Sequence, residues 1–268
     1  MCRHIGYLGP QVGLDELLLH PAHSLVEQTW APNDMRAGGA VNVDGFGVGW
    51  YGRDSTVPKR YRAEGPMWAD GNFAELAGCL RSGAVVGAVR SATGSSPAGR
   101  AACAPFGSGP WLFSHNGSVP GWPDSLADLA DKLDPAELVT LDAPVDSALV
   151  WALLLHRLDG GQPPADAVRD TLAEVVAASP RARMNLLLSD GNTLIATTWA
   201  HSLAVCRTAE AVLLASEPFE LPAAALGGTS SAGDGSPEWH PVPEGSLVVA
   251  DRVSTSCTPL FENSPESR

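Results

Sequence analysis

Positive charge is scarce in this chain. Seventeen lysines and arginines face 30 aspartates and glutamates over 268 residues, giving a formal charge of −13 and a pI near 4.8. Phosphate-rich partners need lysine and arginine to neutralise them, so this balance excludes nucleic acid. Cysteine is sparse too. Cys2, Cys79, Cys103, Cys206 and Cys257 are odd in number and scattered, with no CxxC pair. That excludes a disulfide framework and a zinc knuckle and points to a reducing, cytoplasmic setting. No apolar run reaches membrane-spanning length, and the N-terminus has no basic region followed by an apolar stretch and a small-residue cleavage site, so neither a membrane nor export is expected. Internal repeats and strict βαβ alternation are also missing.

What is present is a globular composition, 44% apolar, enough to build a substantial core. Short β-like runs, mostly bounded by Gly, Pro or Asp, are predicted at Ile5–Leu8, Val48–Tyr51, Val85–Val89, Trp111–Ser114, Asn185–Leu188, Leu194–Thr198, Leu203–Cys206, Val212–Ala215 and Leu247–Ala250. Helical patterns cluster in the middle, at Leu126–Lys132, Ser147–Arg157 and Ala165–Ala178, with a further one from Leu14 to Gln28 interrupted by Pro21. Strands, then helices, then strands predict an α+β layered architecture with mainly antiparallel sheets. A single domain over residues 1–261 is expected, with Ala223–Pro237 as a surface loop and residues 262–268 as a disordered tail.

The chemistry starts at Cys2. Removal of Met1 leaves a thiol and a free α-amine on one residue, so the nucleophile carries its own base and needs no histidine partner. In WLFSHNGSVPG, Asn116-Gly117 is the strongest short-range signal for a tight hairpin turn. The same pair can offer a side-chain amide and a backbone N–H to the oxyanion of a tetrahedral intermediate. Arg90, at the end of an apolar strand in VVGAVRSATGSS, has the planar fork that suits a carboxylate, although a salt bridge within the fold is its ordinary use. Asp146 precedes an apolar helix, where it serves as an N-cap or holds a substrate ammonium at a pocket edge; Asp142 competes without the helix-start context.

His115 invites a Cys–His dyad. With an amine available as base, it is read instead as a supporting residue behind the groups that touch substrate and is grouped with the substrate-binding set. His20 and His23 have no third ligand nearby, so no metal is assigned. Gly45–Gly49 in NVDGFGVGWY lacks a P-loop lysine and a following helix, and reads as a glycine-permissive strand beside the site.

Taken together, Cys2, VRSAT with Arg90, SHNG with Asn116-Gly117 and VDS with Asp146, accompanied by NVDGFGVGWY, RMNLLLSDG and ASEP, resemble the class II glutamine amidotransferases over most of residues 1–250. The resemblance implies a four-layer αββα sandwich of the N-terminal-nucleophile hydrolase type. It implies attack by Cys2 on a γ-glutamyl amide, with Asn116 and Gly117 holding the oxyanion, Arg90 the glutamyl α-carboxylate and Asp146 the α-ammonium. Where many family members carry a glutamate two residues after that aspartate, this chain has Ala148.

Within the family the sequence is most similar to the single-domain branch, which implies hydrolysis of γ-glutamyl-hercynylcysteine sulfoxide in ergothioneine biosynthesis with no cofactor. The alternative is a glutaminase or glutathione-cleaving γ-glutamyl hydrolase subunit working with a partner protein. The implied partner is a small γ-glutamyl molecule, and a partner subunit is possible but not required. Trp50, Trp68, Trp111 and Trp122 are candidates to offer a ring face to the trimethylammonium of the leaving half.

Overall fold

The computed structural model describes residues 2–35, 41–92, 99–226 and 237–261. From the N-terminus, β1 (Arg3–Gly13) and α1 (Leu14–Leu18) lead to β2 (Phe46–Trp50), β3 (Lys59–Ala63), α2 (Gly71–Cys79) and β4 (Arg81–Val89). Then come β5 (Phe106–Ser108), β6 (Trp111–Ser118), α3 (Ala127–Ala130), α4 (Pro135–Val139), α5 (Asp146–Asp159) and α6 (Pro164–Ala178). The C-terminal part holds β7 (Arg183–Ser189), β8 (Thr193–Thr197), β9 (Ala204–Arg207), β10 (Val212–Ala215), the helical turn α7 (Ala223–Leu226), β11 (Trp239–Pro241), β12 (Ser246–Asp251) and β13 (Thr255–Pro259).

The strands form two antiparallel sheets, one ordered β11-β9-β10-β1-β4-β2-β3 and the other β13-β12-β8-β7-β6-β5. Side-chain alternation along the strands explains why the sheets stack. On β7, Met184, Leu186 and Leu188 join the core beneath α5 and α6, whereas Leu187 turns the other way. There it meets Leu8 and Val86 of the first sheet in an inter-sheet layer with Leu112, Leu194 and Ala196. A third cluster packs Leu14, Leu17 and Leu18 of α1 and Phe73 and Ala77 of α2 onto Ile5, Tyr7, Val48 and Val85 on the outside of the first sheet. The order of layers is therefore helix, sheet, sheet, helix, the αββα sandwich that the resemblance implies. Gly6 lets the sheets approach: a Cβ there would meet the side chains of Leu194 and Leu187 at 3.0 and 3.3 Å.

Each of the nine expected strands is present, with bounds shifted by a few residues. The helical pattern from Leu14 ends at Leu18, and its second part is a 3-10 turn at Glu27–Thr29. The pattern at Leu126–Lys132 begins as a 3-10 turn, Asp124–Leu126, and continues as α3. The expected loop Ala223–Pro237 starts instead with α7; residues 227–236, and the expected tail 262–268, lie outside the described residues.

Candidate active site

Strand ends build the site. The C-terminal ends of β4 and β6, the N-terminal ends of β1 and β7 and the first turn of α5 surround a cavity of about 590 Å³. Cys2, Arg90, His115, Gly117 and Asp146 line it, together with Phe46, Trp122 and Arg183.

Cys2 is partly buried immediately before β1, with its Sγ 3.8 Å from the Ser91 carbonyl oxygen. It shares a strand face with His4, whose Nδ1 lies 3.2 Å from Ser114 Oγ on β6, so the thiol is on the inter-sheet side. Its main chain is anchored as well: Arg3 Nη1 donates to the Cys2 carbonyl at 3.1 Å. Another thiol near this region, Cys103, is fully buried, and burial pushes it up to about 11, partly opposed by Arg90 and Arg62. That makes Cys103 an inert packing residue.

Asn116 and Gly117 are not in a hairpin turn. Both lie within β6, opposite Asn185 and Met184 of β7, so the turn expected from the dipeptide is corrected. The glycine is needed for close approach, because a Cβ at position 117 would overlap the Arg183 carbonyl oxygen and crowd His115 Nε2 at 2.5 Å. Asn116 does not line the cavity itself. Its amide is buried against the inter-sheet layer, where Nδ2 donates to Ser216 Oγ at 3.2 Å while Oδ1 has no partner among the described residues. His115 is held by a 2.9 Å contact from Nε2 to the Arg183 carbonyl.

Arg90 follows β4 in a segment locked to Asp44 and Gly45. The Arg90 N–H donates to the Gly45 carbonyl at 2.8 Å, the Asp44 N–H donates to the Arg90 carbonyl at 3.1 Å, and Asp44 Oδ2 accepts the Ala92 N–H at 2.7 Å. This is the strand beside the site expected from NVDGFGVGWY; Phe46 reaches the cavity wall.

Asp146 is the first residue of α5, and Val145 occupies the N-cap position. The carboxylate accepts the Ser147 N–H on Oδ1 at 2.7 Å and the Val119 N–H on Oδ2 at 2.8 Å. It thus ties the end of β6 to the start of α5 and corrects the simple N-cap expectation. The competitor Asp142 lies away from the cavity wall and pairs with Arg62 at 3.5 Å. Ala148 is buried in the core under α5, a place where a carboxylate would lose its hydration.

Four contributors escaped the sequence reading. Arg3 and Glu217 form a buried pair behind Cys2, and Ser216 links the His4 main chain to Asn116. Arg183 adds a second guanidinium to the wall. The signals were a charge beside Cys2, polar residues directly after an apolar strand in ASEP, and an arginine opening the apolar strand RMNLLLS. Of the four tryptophans considered for a cation, Trp122 lines the cavity and Trp50, Trp68 and Trp111 do not. Among the described residues no cluster of three His, Cys, Asp or Glu side chains is arranged to hold a metal. No described helix is long and apolar enough to cross a membrane.

Residues 23–220 match the sequence family described as glutamine amidotransferases class-II. The gamma-glutamyl-hercynylcysteine sulfoxide hydrolase of Mycolicibacterium smegmatis is 37% identical over 260 residues, covering 97% of this chain and 100% of that protein. The protein of the same name from Mycobacterium tuberculosis is also 37% identical over 260 residues, covering 97% of each chain. Among solved structures, a glutamine aminotransferase class-II domain protein from Silicibacter pomeroyi superposes with a TM-score of 0.63 at 21% identity, covering 97% of this chain and 100% of that one. The glutamine phosphoribosylpyrophosphate amidotransferase of B. subtilis gives 0.67 at 15% identity, with 98% of this chain matched to 50% of that one. At such identities these two structures speak for the fold alone.

Proposed function

The chain belongs to the class II glutamine amidotransferases, and from that membership we propose that it is a cytoplasmic amidohydrolase. It cleaves γ-glutamyl-hercynylcysteine sulfoxide to glutamate and hercynylcysteine sulfoxide, with no cofactor and no obligatory partner subunit. Once Met1 is removed, the Cys2 α-amine takes the thiol proton and Sγ adds to the γ-carbonyl carbon. The oxyanion is held by the Gly117 N–H and by Asn116, whose Nδ2 has two hydrogens and gives one to Ser216. Collapse of the adduct breaks the C–N bond, the amine departs with the proton, and a glutamyl thioester remains on Cys2. Water then adds to the thioester, glutamate leaves and the thiol is restored.

Arg90 binds the glutamyl α-carboxylate and Asp146 its α-ammonium, a pair of opposite charges that fixes the zwitterion at both ends. Asp146 retains acceptor capacity for this, since each of its oxygens accepts one N–H and has a further lone pair. Trp122, on the cavity wall, is the tryptophan placed to offer a ring to the trimethylammonium of the leaving half.

The observation that carries the reading is the meeting, in one cavity, of the Cys2 thiol with Arg90 and Asp146, in a chain 37% identical to two hydrolases of that name over nearly their whole length. The test is glutamate release by Met1-processed protein from γ-glutamyl-hercynylcysteine sulfoxide, glutamine and glutathione in parallel, with Cys2→Ala as control. Preference for the first substrate, abolished in the variant, is expected. Turnover of glutamine or glutathione instead moves the protein to the alternative reading, as a glutaminase or glutathione-cleaving subunit.

A further inference from the structure

Among the described residues the charged side chains on the cavity wall are Arg90, Asp146 and Arg183. A glutamyl group is a zwitterion, so Arg90 and Asp146 satisfy it and one positive charge is left over. That charge belongs to Arg183. Alternation along β7 puts its side chain on the same face as Asn185 and Leu187, the inter-sheet face, while Met184 and Leu186 point to the helices. Its guanidinium is partly buried, donates from Nη2 to Ser118 Oγ at 2.8 Å, and has no carboxylate partner among the described residues. In the β6–β7 register Arg183 is opposite Ser118, the residue directly after Gly117. It therefore stands on the cavity wall one position beyond Gly117.

A partly buried guanidinium with one neutral hydrogen-bond partner retains most of its donors and its full charge. The leaving group of glutamine is ammonia, which offers no anion there. An amino acid joined through its nitrogen to the γ-carbonyl offers a carboxylate on the carbon next to that nitrogen, within a few ångströms of the scissile bond. We propose that Arg183 binds this leaving-group α-carboxylate, making it the residue that selects γ-glutamyl amino acids and peptides over glutamine. The assignment rests on the amidohydrolase reading above and names which part of the substrate Arg183 recognises.

A charge-assisted, bidentate contact with a partly desolvated carboxylate is worth on the order of 10²-fold in kcat/KM. The test is a cycle of two proteins and two substrates: wild type and Arg183→Met, each with γ-glutamyl-hercynylcysteine sulfoxide and with the analogue whose cysteinyl carboxylate is a carboxamide. The readout is the acid-to-amide ratio of kcat/KM, which a merely structural role leaves unmoved even if both rates fall. A wild-type ratio on the order of 10² that collapses towards one in the variant is expected. Arg183→Lys, which keeps the charge and loses the fork, gives an intermediate ratio and replaces Arg183→Met if that variant does not fold.

A third substrate with the hercynyl carboxylate amidated separates the two carboxylates of the leaving half. Coupling of Arg183 to that group instead overturns the cysteinyl assignment. An acid-to-amide ratio equal in wild type and variant overturns the inference and leaves the amidohydrolase reading standing. Failure of the wild type to hydrolyse the acid at all removes both.

Discussion

Arg3 and Glu217 form a buried ion pair directly behind Cys2, with the guanidinium 2.7 Å from the carboxylate and both side chains 3% exposed or less. Glu217 also accepts the Asn33 N–H at 2.8 Å and contacts His23 Nε2 at 2.7 Å, while Arg3 donates to the Cys2 carbonyl. Together these contacts fasten the main chain at Cys2.

Glu217→Gln leaves the Arg3 charge buried with a weaker acceptor. Breaking a buried pair on one side costs about 3–5 kcal/mol; with a hydrogen-bonding amide in place, the loss falls at the lower end of that range. Urea unfolding gives the stability loss. Steady-state kinetics on protein that remains folded should show kcat falling more than KM rises, because the change acts on the placement of Cys2 and not on the glutamyl contacts. A variant with wild-type kcat rules out any role of the pair in positioning the thiol.

Gly117→Ala is expected to abolish turnover even though alanine is the smallest step up. The added methyl meets a carbonyl of the neighbouring strand, which cannot swing away as a flexible side chain can. Relief requires β6 to separate locally from β7. Overpacking of this kind costs about 1–3 kcal/mol, and displacing an oxyanion donor costs on the order of 10²-fold or more in kcat. Glutamate release together with thermal unfolding checks both; an active, stable alanine variant shows that the strands have room to part.

The strands the sequence missed have one thing in common. β3, β5, β11 and β13 are the four outer strands of the two sheets, and every strand predicted from an apolar run is an inner one. Inner strands are buried on both faces and read as continuous apolar runs, whereas edges are short and polar: β13 is exposed along its whole length and β11 has three residues. Helices follow the same logic. α5 and α6 bury five or more residues each and were legible, while α4 buries none and α2 buries two. At the site, Cys2, Arg90 and Asp146, each picked out by its motif, line one cavity. Asn116-Gly117 misled in local structure because the glycine answers a contact with Arg183, which is 66 residues on and invisible in a local window.

Asp146→Asn separates two duties of one carboxylate. The asparagine oxygen can still accept the Val119 N–H, so the link between β6 and α5 survives in part, but the negative charge facing the ammonium is gone. A contact to a charged group is worth about 1.5–3 kcal/mol, so kcat/KM for a γ-glutamyl substrate falls by about 10–10²-fold. A des-amino substrate, the glutaryl amide, has no ammonium to lose, and its discrimination against the γ-glutamyl compound should shrink by the same factor. If the two substrates lose equally, Asp146 acts only through the loop it ties down.

Acid should destabilise the fold well above the carboxylate range, through two buried histidines. His4 and His201 are both pushed down to about 3, mainly by burial; His115, His201 and Arg3 add to the effect on His4, and Arg183, Arg3 and His115 to that on His201. Unfolded histidine binds a proton near pH 6.5, so below that value the unfolded chain holds protons that the native state refuses. Stability is then lost as pH falls from about 6.5 towards 3, at up to about 1.4 kcal/mol per pH unit for each group. Burial raises Glu217, but the Asn33 N–H, His23 and Arg3 outweigh it and hold the carboxyl below the ordinary glutamate range, so its loss comes later, as the carboxylate protonates. Between pH 6 and pH 5 the histidines dominate. Urea midpoints across that interval should fall with a proton uptake approaching two, and His4→Gln should lower the uptake by one; a flat profile there means these imidazoles are charged in the native state.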